Sequence, residues 1–376
     1  MRLFDRTVQV DVRREPTTAP SLAGPSGRPT FGPALPRRRA WPLALTLVLL
    51  LAAVLLGAAV GPAGIPLDAV VRIIVSRISG ADLASGLPRQ WQDIVWEIRL
   101  PRVIMAGLVG ASLALSGATY QAIFRNPLAD PYLIGVAAGA GLGAAVAVVA
   151  GWDFSFYQMS PLTIMSFGGA LAAAGVSYLL ARVGRTVPVT TLLLAGVAIG
   201  SLASSVTSYL IISSGDKGLE IYSWILGGFN DSSWDKMWLL VPYLVPAAVL
   251  VLAHGRILNV MQLDEEQAQQ LGVNVERVKL LLIGVATLAT AAAVSVAGVI
   301  GFVGLIVPHV VRLAWGPDHR QLLPLSMVLG AVFLILADVP ARTIDAPSEI
   351  PVGIVTALCG TPFFLFLLRL RQRAVF

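Results

Sequence analysis

The stretch HGRILNVMQLDEEQAQQLGVNVERVK, His254–Lys279, is a charged island between two long apolar runs. It can form a short, firmly capped helix. Asp264 is placed to accept from the backbone at the helix start, and Gln267 follows three residues on, as in a capping box. Glu265 and Glu266 put negative charge in the first turn, where the helix dipole is positive. Gly272 is suited to end the helix in the left-handed conformation. On composition alone the island is either an ordinary solvated connection or a rigid element offered to a soluble partner, and its surroundings decide between the two.

Of 376 residues, 56% are hydrophobic and 13% charged, and the mean hydropathy is +0.78. That balance excludes a soluble globular class and predicts an all-α polytopic membrane protein. The 36 glycines suit helices packed closely in lipid. A single cysteine, Cys359, leaves no intrachain disulfide and gives no indication of compartment. The net charge of +6 sits largely at the two ends. No basic stripe is interleaved with aromatics, so no nucleic-acid partner is expected.

Working outward from the island, apolar runs predict spans on both sides. Residues 1–40, rich in Arg, Pro, Thr and Gly, predict a disordered basic tail. The first apolar stretch, Trp41 to Gly61, begins too late and runs too long for a cleaved signal. Span 2 lies between Arg102 and Arg125, and span 3 between Asp130 and Asp153. Spans 4, 5 and 6 fall in Phe154–Ala181, Thr186–Gly215 and Met237–Ala253, with amphipathic segments near Ala69–Ile78 and Leu219–Gly228. Leu280–Val311 holds 32 uncharged residues. About 20 cross a bilayer core, so this run is too long for one span. Gly298, Gly301, Gly304 and Pro308 predict a break after about Ala297 and a short return. Gln321–Ala337 and Ile350–Leu368 complete ten spans.

An even number puts both ends on one side. With that side cytoplasmic, 19 of the 27 Lys and Arg residues lie inside, as the positive-inside rule requires. Five arginines in Pro62–Arg102 run against the count and need a separate role. The same parity puts the island inside, and Arg99, Arg102 and Arg342 outside at span ends.

No Gly-Lys pair exists, so a Walker-type phosphate loop is absent. Acidic residues are nearly absent from the spans, which weighs against an ion-coupled carrier or channel. His254, His309 and His319 lack metal-ligand spacing, and no nucleophile–base set suggests an intramembrane enzyme. A path without a motor or coupling site must be driven from elsewhere, and the island is the element placed to receive that drive.

Four stretches carry a resemblance to a known family. They are RLPRVIMAGLVGASLALSGATYQAIFRNPLADPYLIGVAAGAGLGA (Arg99–Ala144), AGVIGFVGLIVPHVVRL (Ala297–Leu313), DHRQLLP (Asp318–Pro324) and ADVPARTIDAPSEIPVGIVTALCGTPFFLFLLR (Ala337–Arg369). In this order they resemble the FecCD permease subunits of ABC importers for iron chelates, haem and cobalamin. The likeness runs from about Trp41 to Arg373. It implies the ABC importer type II permease fold for residues 41–373, with a coupling loop at about 254–279. It implies no catalytic residue, resident metal or cofactor in this chain, ATP being bound by a partner subunit. The implied partners are a second permease copy in a homodimer or heterodimer, two ATP-binding cassette subunits and a substrate-binding protein. The implied place is a bacterial cytoplasmic (inner) membrane, with both termini cytoplasmic. The implied cargo is a bulky metal chelate, a ferric siderophore first, with cobalamin or haem the alternatives.

Residue by residue, Leu263, Asp264, Glu265, Glu266, Ala268, Leu271 and Gly272 match the family's ATPase-coupling helix. Arg99, Arg102 and Arg342 match arginines that dock the binding protein. Read locally, Arg342 could instead pair with Asp338, and Arg99 with Glu97. Val189 and Thr190 match the cytoplasmic gate, although Pro188 and Val189 stand where small hydroxyl residues are common. Ser112, Ser116, Thr119 and Gln121, with Ser201, Ser204, Ser205 and Ser208, are candidates either for pathway lining or for helix packing.

Overall fold

Apolar runs of span length become helices. A computed structural model of the chain describes residues 41–154, 156, 159–184, 186–263 and 265–372. The expected N-terminal tail lies outside the described residues, as do Asp264 and the side chains of Glu265 and Glu266. In chain order the helices are α1 Trp41–Ala59, α2 Leu67–Ser79, α3 Arg89–Asp93, α4 Leu100–Ile123, α5 Val136–Ala150, α6 Pro161–Ala181, α7 Val189–Ser213 and α8 Lys217–Ile225. They continue as α9 Trp234–Ala253, α10 Gly255–Val260, α11 Glu265–Gln270, α12 Val275–Ala297, α13 Val303–Trp315, α14 His319–Ala341 and α15 Val352–Gln372. A π-helical turn, Ile94–Arg99, joins α3 to α4, and a short 3₁₀ turn, Pro131–Ile134, precedes α5.

Among the described residues, seven helical segments are long and apolar enough to cross a membrane, and three shorter apolar ones accompany them. The three are Val136–Ala150, Val303–Trp315 and Val352–Leu365. The sequence reading places a span at each of these ten positions. The shorter three begin beside irregular backbone or proline, which uses up part of the apolar run.

Helix α4 is the centre: 83% of its span window is buried, against 28% for α1 and 17% for α7. Glycine makes this centre possible. A Cβ on Gly110 would stand 2.2 Å from the Gly330 carbonyl of α14, and one on Gly117 would stand 1.9 Å from the Gly304 carbonyl of α13. At both crossings backbone meets backbone, as small residues allow where lipid supplies no hydrophobic drive. Ser112 and Ser116 donate from α4 to the carbonyls of Ala289 and Ala286 in α12, at 2.9 and 3.1 Å. Thr119 donates to Leu115 within α4. The hydroxyls of Ser112 and Ser116 therefore hold helices together, and that of Thr119 serves its own helix.

The long run after the island breaks where its glycines suggest. Gly298 has φ +68° and Phe302 φ +70°. The bare carbonyls of the break find partners: Gly228 N–H donates to Ala297 at 2.9 Å, and the Tyr132 hydroxyl donates to Ile300 at 2.9 Å. Pro308 does not end α13, which runs on to Trp315. Proline cannot donate to the carbonyl four residues back, here Gly304. The buried Gln121 amide donates to that carbonyl at 3.2 Å.

Candidate functional site

Two clusters of polar side chains stand at opposite ends of the bundle. The first gathers where α1 and α14 finish and α4 starts. Arg102 donates through Nε and Nη2 to Asp338, at 3.0 and 2.8 Å, and through Nη1 to Glu349 at 2.8 Å. Arg342 stands 3.5 Å from Asp338 and donates to the Gly57 carbonyl. Arg99 Nη1 donates to the Ala58 and Ala59 carbonyls at 3.1 and 2.8 Å. Two guanidinia thus close the bare C-terminal carbonyls of α1, where positive charge meets the negative end of the helix dipole. Arg99, Arg102 and Arg342 are 4%, 7% and 5% exposed, so none presents a free side chain at the surface. The local pairing of Arg342 with Asp338 is present. Arg99 turns to α1 rather than to Glu97, because α1 ends beside it with acceptors to satisfy. This cluster also removes two of the five contrary arginines from the count, since their charge is spent inside the protein.

The second cluster surrounds the island. Helix α11 is short and ends as the sequence predicts. Gly272 has φ +83°, its N–H donates to Gln269, and Val273 N–H donates to Ala268, at 2.9 and 3.1 Å. This is the Schellman pattern. Ala268 is fully buried, while Leu263 and Leu271 are 44% and 64% exposed. The helix therefore shows apolar side chains at its edges and is seated by its alanine. Of the residues matched to coupling, Ala268 is a seat and Leu263 and Leu271 are the contacts on offer.

What seats the island was not legible. Helix α10, just ahead of α11, was not expected, and it carries Asn259. The Asn259 amide donates to Asp318 at 2.7 Å. Its oxygen accepts from the His319 backbone at 2.9 Å and lies 2.8 Å from His319 Nδ1. On the other flank, Arg125 donates to the Met261 carbonyl at 2.8 Å and Gln262 donates to the Ala122 carbonyl at 3.0 Å. The island is thereby clasped to α14 and to the end of α4, beyond the spans it connects. The signal in the sequence was an asparagine between apolar residues, and an Asp-His pair opening a span. Neither becomes specific until the fold brings them together.

The remaining expected residues separate by exposure. Val189 is the first residue of α7 and half-buried, and Thr190 beside it is exposed. Ser201, Ser204, Ser205 and Ser208 share an exposed face of α7. Ser205 and Ser208 donate within their own helix, to Ser201 and Ser204, at 2.9 Å. Gln121, beyond bridging to α13, accepts from Arg312 at 3.0 Å.

The chain is thus a helical membrane bundle with a closed charge cluster at one end and a clasped, apolar-edged short helix at the other. The chain belongs to the FecCD transport family, whose pattern matches residues 49–370. It is similar to the cobalamin import system permease protein BtuC of Halobacterium salinarum, 47% identical over 292 residues, covering 78% of each chain. It is similar to the hemin transport system permease protein HmuU of Yersinia pestis, 42% identical over 289 residues, covering 75% of this chain and 85% of the relative. A solved structure of an inward-facing metal-chelate type ABC transporter superposes with TM-score 0.77 at 30% identity, covering 88% of this chain and 99% of that one.

Proposed function

We propose that this chain is the permease subunit of an ATP-driven importer for a metal chelate, crossing the cytoplasmic membrane ten times with both termini inside. The seated lever carries the reading: α11 ends in a left-handed cap and is flanked by exposed Leu263 and Leu271, and α10 and the turn just ahead of it are tied to α4 and α14. An ATPase that moves α11 would move four spans together, as a rigid-body switch requires. Two such ATPases, a second permease copy and a substrate-binding protein complete the assembly. Val189 and Thr190 are the inner gate in this reading, and the open serine face of α7 lines the path between two copies.

Docking of the binding protein at the arginine end takes a specific form. Glu349 is the most exposed partner in that cluster, with 30% of its side chain accessible. A carboxylate on the binding protein can compete with Glu349 for Arg102, keeping bidentate geometry. Glu349→Gln should then raise binding-protein affinity. Unchanged affinity removes the arginines from docking.

For the cargo, the similarity to cobalamin and haem permeases favours a tetrapyrrole chelate, cobalamin first, over the ferric siderophore that the sequence resemblance suggests. The deciding experiment reconstitutes the permease with its ATPase and binding protein. It compares ATP-dependent uptake of labelled cobalamin, haem and ferric siderophore. Uptake of any of them without nucleotide hydrolysis sinks the importer reading. Deleting 264–272 should abolish co-purification of the ATPase, and its retention sinks the coupling role.

A further inference from the structure

The two exposed arginines nearest the start of the contrary loop, Arg72 and Arg77, lie on α2, a 13-residue helix outside the spans. At 100° per residue its side chains divide into three arcs. Ala69, Val70 and Ile73 are buried, each 1% exposed or less. They pack with Ala58 at the end of α1 and Val95 of the π-helical turn. Asp68, Arg72, Ser76 and Ser79, spaced four, four and three residues apart, make a polar arc. Leu67, Val71, Val75 and Ile78 repeat that spacing one residue earlier and are 55%, 36%, 42% and 74% exposed. The bare apolar arc lies between the other two: Val75 adjoins Asp68 of the polar arc on one side, and half-buried Ile74 joins it to the buried arc on the other, while exposed Arg77 stands in the last turn on the buried side.

This three-way division states what covers the bare arc. A partner settling on the bundle from water would meet the polar arc. The bare apolar arc adjoins instead the arc that packs on the end of α1, where Leu56 of that span is 46% exposed. A helix buried on one side, bare and apolar on the next and polar on the third, set at the end of a span, fits the boundary between acyl chains and headgroups. We infer that α2 is an interfacial helix, with Leu67, Val71, Val75 and Ile78 in the lipid and Arg72 at the level of the phosphates. Arg72 holds one end of its guanidinium to the Leu83 carbonyl through Nε at 3.0 Å. That leaves its remaining donors for a phosphate oxygen, in the fork geometry arginine favours. Arg72 is then an interfacial anchor, which accounts for one cationic residue on the side that the positive-inside rule leaves poor in them.

The test is a nitroxide scan of the full chain in phosphatidylcholine liposomes, on a Cys359→Ser background. Single cysteines are placed at Val71, Val75 and Ile78, and at Asp68 and Ser76. Oxygen dissolves in lipid and a nickel chelate stays in water. The ratio of oxygen to nickel relaxation should be several-fold higher at Val71, Val75 and Ile78 than at Asp68 and Ser76. Equal ratios at the five sites overturn the proposal. So does protection of the apolar arc from both reagents only when a binding protein is added, which would make it a protein-docking face. Four of these sites are exposed and Ser76 is half-buried, none belongs to the packed arc, and the outcome is independent of what the permease carries.

Discussion

The two ends of the bundle solve the same problem with opposite chemistry. Both must fasten helices that have no hydrophobic reason to associate in lipid. The arginine end does so with full charges: Arg102, Arg342, Asp338 and Glu349 are interlocked, and Arg99 and Arg342 close the carbonyls of α1. The lever end relies mainly on carbonyl and amide groups, with Asn259, Gln262 and Arg125 reaching across. A buried ion cluster is costly to break, because each lost partner strands a charge. Hydrogen bonds in which at most one partner is charged are individually more modest and can be exchanged. The difference suits the proposed coupling, in which one end stays fixed and the other is moved.

The comparison breaks most visibly at Asp338. Asp338→Ala leaves Arg102 without its main carboxylate and Arg342 without the carboxylate 3.5 Å from it. The loss should be about 3–5 kcal/mol, read as a large drop in thermal unfolding temperature in detergent. Pairing it with Arg102→Met should recover much of that loss, since the uncompensated charge goes too. A double variant no better than the single one would show that the cluster fastens by shape rather than charge.

Asn259→Ala tests the other end. It removes the bridge between α10 and α14 and leaves the buried His319 ring without its acceptor. About 1–3 kcal/mol should be lost, less than at Asp338. The larger consequence should be functional: in the assembled transporter, ATP hydrolysis should persist while uptake per ATP falls. Asn259→Asp should not rescue, because Asp318 faces the lost amide. If uptake and hydrolysis fall together, the clasp positions nothing beyond the fold. Within the lever, Gly272→Ala places a side chain at φ +83° and should cost about 1–2 kcal/mol, loosening the cap without touching the clasp.

How much of this was legible follows the same divide. Span-length apolar runs, the glycine break near Gly298 and the left-handed end at Gly272 depend on local propensity, and they lie in the sequence in plain order. The ion cluster was half legible. Arg342 and Asp338 are four apart on one helix, whereas Arg102 and Asp338 are separated by 236 residues. Nothing local distinguishes an arginine that faces water from one that caps a helix arriving from elsewhere. Arg99 is the instructive case, because its partner is backbone, and a carbonyl has no side-chain signature. The end of the lever at Gly272 could be read from the sequence, but its seat could not, since Asn259, Asp318 and Gln262 acquire partners only through tertiary contact. Interhelical serines such as Ser112 read equally as pathway or packing until burial decides.

The smallest effect expected concerns a half-buried carboxylate near the lever end. Asp130 accepts from the Tyr132 N–H at 2.8 Å, and burial pushes its carboxyl up to about 6 against that hydrogen bond. A folded-state pKa above the unfolded value of 3.8 means the fold prefers the protonated acid. That preference is fully present below the unfolded pKa and is lost as pH rises through about 6, after which the charged form is a constant burden. Asp130→Asn keeps an oxygen for Tyr132 and removes the charge. The variant should unfold at a higher temperature than the parent at pH 8, and the gap should narrow toward zero as the pH falls to 4. A gap that widens on acidification would mean the carboxylate is stabilised by a cation at that corner. The lever end would then fasten its helices by charge as well, and the contrast between the two ends would fail.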